Sequence, residues 1–151
     1  MSTILNSITI ISHTVEVDYS QTVEEMVLAG RYDSSNEDIN SQNFSIKGEG
    51  KKQVEVFEIC FGRVVDSSED LTVKLDELGY KPAQLPELLS LGKEKPELQR
   101  DHPIIALGSL AVIWGYRCVS SLDESDSRRR LSLRPFRDDW GAWYRFLVVR
   151  K

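Results

Sequence analysis

Read for alternation, the chain opens on a strand. Residues 8–20, ITIISHTVEVDYS, set β-branched and polar side chains in turn, the period-two pattern of a half-buried strand. TVEEMVLAGRY changes the period. Thr22 followed by Glu25 is the reciprocal capping pattern of a helix start; Val23, Met26 and Val27 share one helical face, and Gly30 supplies the stop. Turn-rich DSSNEDINSQNFSI and the loop GEGKK at 48–52 lead to the strongest strand signal, QVEVFEICFGRVV at 53–65. There Val54 and Val56, with Glu58 in phase, share one face, and Phe57, Ile59 and Phe61 the other. SSEDLTVKLDELGY predicts a second helix, capped by Ser67, acidic in its first turn at Glu69 and Asp70, striped by Leu71, Leu75 and Leu78, and ended by Gly79. KPAQLPELLSLG predicts a third, with Pro86 in the first turn and Leu85, Leu88 and Leu89 inward. KEKPELQRDHP breaks the pattern.

After residue 103 the character changes. PIIALGSLAVIWG is apolar and rich in β-branched residues. GYRCVSSLDESDSRRRLSLRPF predicts a strand, a polar loop of about 8 residues and a returning strand; the tip SSLDESDSRRR reads alternatively as a disordered patch. RDDWG is a turn and AWYRFLVVRK the closing strand. The expected fold is therefore α+β: one domain over 1–151, two to three helices and an antiparallel C-terminal sheet. Residues 1–66 form a strand–helix–strand part, and 67–151 hold the helices and the sheet. The expected core contains Phe57, Ile59, Leu71, Leu75, Leu78, Leu88, Ile105, Leu107, Phe146 and Val148.

Composition narrows the function. A chain of 151 residues fits a single core. No apolar run reaches the roughly 18 residues of a spanning helix, and the opening lacks a basic signal-peptide start, so a cytoplasmic protein with no membrane partner is expected. Cys60 and Cys118 sit in apolar strand contexts and read as small buried side chains of a reducing compartment; spacing alone leaves a bond between them open. His13 and His102 have no Cys or His at ligand spacing, so neither metal nor cofactor is expected. No Ser or Cys stands in a nucleophile frame, GEG at 48–50 is no phosphate loop, and a non-enzyme is expected. Charge is divided. Residues 1–115 carry 10 basic and 19 acidic side chains, whereas 116–151 carry 9 basic and 5 acidic. The basic end is also aromatic, a composition typical of protein-binding surfaces. It suits nucleic acid less well, because the sequence pI is near 5.1 and Asp138 and Asp139 sit inside the patch.

The ending WGAWYRFLVVRK resembles the closing strand of C-type-lectin-fold proteins related to the formylglycine-generating enzyme and to the variable proteins of diversity-generating retroelements. LDELGYKPAQLPELLSLG is similar to a helix preceding the sheet in an uncharacterised bacterial family. The resemblance, over about residues 67–151, implies a C-type-lectin-like sheet with a displayed ligand face. That face would draw on Ser132, Arg134, Phe136, Arg137, Asp138, Asp139, Trp140, Ala142, Trp143 and Tyr144. The chain lacks the family's calcium-ligand set and its catalytic cysteine frame, so neither calcium-dependent sugar binding nor the formylglycine activity is implied. The expected function is a non-enzymatic module that presents Arg134, Phe136, Arg137, Asp138, Asp139, Trp140, Trp143 and Tyr144 to a protein ligand, as a diversified variable protein would. The alternative is a small regulatory or phage-type protein that binds nucleic acid or its machinery through the same patch. Oligomeric state is left open.

Overall fold

The computed structural model describes residues 8–65, 67–136 and 139–151. Its elements, in chain order, begin with β1 (Thr9–Asp18), α1 (Val23–Ala29), β2 (Ser34–Ser35), β3 (Lys51–Cys60) and α2 (Ser68–Glu77). They continue with β4 (Tyr80–Pro82), α3 (Leu85–Glu94), α4 (Leu98–Asp101), β5 (Ile104–Ile113), β6 (Tyr116–Ser125), β7 (Arg128–Pro135) and β8 (Arg145–Arg150). The caps explain the helix starts. Thr22 and Glu25 form a full capping box, and the Ser67 side chain accepts the Asp70 amide. In α3, Glu87 closes back on the Gln84 amide at 2.7 Å. Short α4 arises in the stretch read as a break and brings the described helices to four, against two or three expected.

The strands form one mixed sheet in the order β1-β3-β8-β5-β6-β7-β2, with β4 added alongside β8. Pairing is mostly antiparallel, as expected, but β5–β8 and β2–β7 are parallel. The closing strand is thus an internal one, with β3 on one side and β5 and β4 on the other. Its alternation divides two cores. Leu147 belongs to the core beneath α1, α3 and the segment holding Ile39 and Phe44. Phe146 and Val148 belong to the core beneath α2, with Phe57, Ile59, Leu71 and Leu75. Both faces are buried, as a strand with apolar groups on both sides requires.

Three expectations are corrected. Leu78 is largely exposed, because it is the C-cap residue of α2 and lies past the last buried turn. Regular β3 pairing stops at Cys60; beyond it Val65 makes only a bridge to Trp140, N to O at 2.9 and 2.8 Å. The predicted polar loop after Ser121 is a tight hairpin. Ser125 pairs with Arg128 across two left-handed residues, Asp126 (φ 53°) and Ser127 (φ 65°), the geometry of a two-residue hairpin turn. Trp114 and Gly115 make the same turn between β5 and β6, and Trp114 at its tip is 91% exposed.

One buried unit joins the ends of α1 and α3. A Cβ on Gly30 would lie 2.3 Å from the Tyr32 ring, and one on Gly92 2.3 Å from its hydroxyl, so two glycines form the slot that takes the ring. The Arg129 guanidinium lies 4.8 Å over that ring. It donates to the carbonyls of Gly30 (2.8 Å), Gly92 (2.9 Å), Pro96 (3.1 Å) and Arg31 (3.2 Å). Gly30 caps α1 and Gly92 lies near the end of α3, so the cation meets the negative ends of two helices.

Candidate functional site

The β6–β7 hairpin builds the site. Leu122 and Leu131 face the helix-covered core, so Ser121 and Asp123 on β6, and Arg130, Ser132 and Arg134 on β7, point to the opposite side. The register sets Asp123 opposite Arg130 and Ser121 opposite Ser132. Helix α4 locks it. Gln99, itself buried, donates from Nε2 to the carbonyls of Asp123 (2.9 Å) and Arg130 (3.1 Å), and Arg100 donates to the Ser127 carbonyl at 2.9 Å.

Asp123 is the hub and is only 2% exposed. Its Oδ1 accepts from Arg130 Nε (2.9 Å) and Ser132 Oγ (3.2 Å); its Oδ2 accepts from Arg134 Nη2 (2.9 Å) and Ser121 Oγ (3.2 Å). A carboxylate this buried is tolerated because every lone-pair direction finds a donor. Arg134 is fully engaged: Nε meets Ser121 Oγ at 3.0 Å, Nη1 meets Tyr144 Oη at 3.0 Å, and the guanidinium lies 5.1 Å over the Tyr144 ring. Arg130 is different. Asp123 holds its Nε, and among the described residues its two terminal nitrogens meet no acceptor. Arg130 belongs to the lining of a depression of about 550 Å³ that Ser34, Asn36 and Ser132 also border. Two guanidiniums against one carboxylate leave the cluster with one uncompensated positive charge. Next to it Trp143, 59% exposed, packs edge-on against Tyr144 at 5.6 Å and rests over Gly141, where a Cβ would come within 2.9 Å of the ring.

Of the residues expected to be displayed, Arg134, Trp143 and Tyr144 come together here. Phe136 and Trp140 are corrections. Trp140 is 0% exposed; its Nε1 donates to Ser68 Oγ at 2.9 Å, its ring stands edge-on to Phe146 at 5.8 Å, and it closes the space between α2 and β8. Phe136 is buried in the same cluster, with the Arg117 guanidinium 4.7 Å over its ring. Asp139 is exposed, and Arg137 and Asp138 lie outside the described residues. Sequence reasoning missed Ser121, Asp123 and Arg130. The signal was there as two polar alternations, Ser121-x-Asp123 and Arg130-x-Ser132-x-Arg134, which become one face once the hairpin turn is placed.

No family model, curated protein or solved structure matches this chain. The site therefore stands on its own geometry.

A second polar cluster lies on the other face. Glu58, buried, bonds His13 Nε2 at 2.5 Å and Arg145 Nη1 at 3.1 Å, a three-residue tie between β1, β3 and β8. Among the described residues no group of three or more His, Cys, Asp and Glu side chains is placed to hold a metal ion. Cys60 and Cys118 are both free thiols; burial and the Asp38 charge raise the Cys118 pKa above its ordinary value. No helix among the described residues is long and apolar enough to cross a membrane.

Proposed function

We propose that the protein is a non-enzymatic binding module that receives an acidic side chain of a protein ligand at Arg130, with Trp143 supplying an apolar contact on the far side of Arg134 and Tyr144. One observation carries this reading. Buried Asp123 fixes Arg130 through Nε alone and leaves its terminal nitrogens without an acceptor among the described residues, in a residue that lines an open depression. A guanidinium held that way has its rotamer entropy already spent and offers the parallel donor pair that a carboxylate accepts two-fold. Trp and Arg are among the residues enriched at the energetic centres of protein interfaces. The reading keeps the kind of surface that the C-type-lectin-like resemblance implies and narrows it, because Phe136 and Trp140 cannot be diversified without emptying the core.

The test is selection of a random peptide library on the full chain. Enriched peptides are expected to carry Asp or Glu beside apolar residues. Their affinity is expected to fall about tenfold for Arg130→Gln, the cost of one charge-assisted bidentate contact; the lost Asp123 donor lowers the melting temperature as well, so affinities are compared below the onset of unfolding. Equal affinity for Arg130→Gln sinks the reading. Retention on single-stranded DNA or RNA that falls steeply with salt favours the nucleic-acid alternative instead.

A further inference from the structure

On the helix-covered face, away from the arginine surface, the sheet carries a cup of about 390 Å³. Val54 of β3, Pro82 of β4 and Val149 of β8 give it apolar lining, and Val54 and Val149 pack against the core of that face. Tyr19, Glu87 and the Lys47–Gly48 stretch complete the lining, and a Cβ on Gly48 would lie 3.1 Å from the Tyr19 ring. Three lysines border it: Lys47, Lys52 and Lys81. All three are exposed, and none forms a salt bridge with a described carboxylate. The one acid in the lining, Glu87, is already committed. Its Oε2 accepts from Tyr19 Oη at 2.8 Å and its Oε1 from the Gln84 amide at 2.7 Å, and it is buried. The rim is therefore cationic in a chain whose net charge is −5.

From this arrangement we infer that the cup binds a small phosphorylated molecule with an apolar body, of the class of a nucleoside polyphosphate. Three ammonium groups without a described carboxylate partner, one of them Lys52 Nζ lying 5.8 Å over the Tyr19 ring, repel each other until an anion with several oxygens sits among them. A single carboxylate is too small to answer three point charges, whereas a di- or triphosphate presents enough oxygens to meet each one. The apolar lining favours a ligand that is more than its phosphates, and the volume lies within the range of small-molecule sites, about 300–1,000 Å³. The inference does not depend on the protein-ligand reading, since it uses none of the same residues.

The experiment is calorimetric titration of the full chain with ATP, pyrophosphate, adenosine and a single-stranded oligonucleotide at matched ionic strength. Saturable binding of ATP, weaker binding of pyrophosphate and none of adenosine are expected. Lys52→Glu and Lys81→Glu each weaken ATP binding by about tenfold or more. Lys93→Glu, on α3 outside the cup, leaves it unchanged. These lysines are exposed, so none of the variants threatens the fold, and a melting curve for each confirms it. No saturable binding of ATP or pyrophosphate at about 1 mM overturns the inference. So does an equal loss in Lys93→Glu, which indicates diffuse charge attraction, or an oligonucleotide that binds as tightly as ATP.

Discussion

Replacing Arg129 by Met tests a buried side chain that makes four hydrogen bonds. The side chain is 6% exposed and its hydrogen-bond partners are all backbone carbonyls; no described carboxylate pairs with it. Methionine keeps much of the apolar length over Tyr32 but removes every donor. The bonds to Gly30 and Gly92 are fully buried, while those to Pro96 and Arg31 are only partly so and can be replaced by water. Two buried carbonyls without a donor cost about 1–3 kcal/mol each, and relief of the desolvated guanidinium returns part of that. The expected loss is about 2–4 kcal/mol by that reckoning. For a domain of this length it corresponds to a fall in melting temperature of about 5–15 °C. Urea denaturation followed by tryptophan fluorescence gives the free energy directly, provided the slope is unchanged. Arg129→Lys separates charge from shape: one ammonium cannot span carbonyls on two helices and the following turn, so it is expected to recover less than half of the loss. A Met variant within about 1 °C of the parent refutes the argument. A Lys variant as stable as the parent shows that charge at the helix ends, not the guanidinium fork, is what matters.

Trp140→Ala is expected to destabilise by about 3–5 kcal/mol, whereas Trp143→Ala stays within about 1 kcal/mol; equal effects in chemical denaturation contradict the division of the two rings between core and surface. Glu24 gives a pH signature. The Ser41 hydroxyl and amide both donate to its carboxylate and hold its pKa below the ordinary value. A carboxylate with a depressed folded pKa contributes stability above its unfolded pKa and loses it as pH falls through the folded one. Ser41→Ala is expected to move the Glu24 titration, read by NMR of the carboxylate carbon, upward; an unmoved curve removes Ser41 as the cause.

The legible parts of the fold were those where period and punctuation agreed. In α2 and α3 the leucine spacing, the cap and the following turn all favoured a helix, and β3 alternated cleanly around Val56, Phe57 and Ile59. The site was legible only in part. Its hairpin turns on Asp126–Ser127, a left-handed pair without the Asn-Gly or Asp-Gly that usually announces one, so the sequence reads the turn-side ends of both strands as loop. Without that turn the run Arg128–Arg129–Arg130 has no register. In the structure the three differ completely: Arg128 is exposed, Arg129 is buried between two helices, and Arg130 lines the depression. Trp140 and Trp143 sit outside regular strands, where no period tells which ring faces α2. Phe146, within a strand, carried that information and was read correctly as core.

The placement of β8 has a consequence for how the chain is made. Among the described strands, β1 to β7 leave the ribosome before β8 does, yet β8 is the piece that joins the β1–β3 pair to the β5–β6–β7 meander. Until it arrives, the inner edges of β3 and β5 have no partner, and these are the apolar runs around Phe57–Ile59 and Ile104–Leu107. Both are open strand edges of the kind that pair with neighbouring chains. The nascent protein thus passes through a stage in which its two half-sheets are exposed to other molecules on the same polysome. Slow insertion of β8 is therefore expected to favour association between half-sheets, however stable the finished sheet.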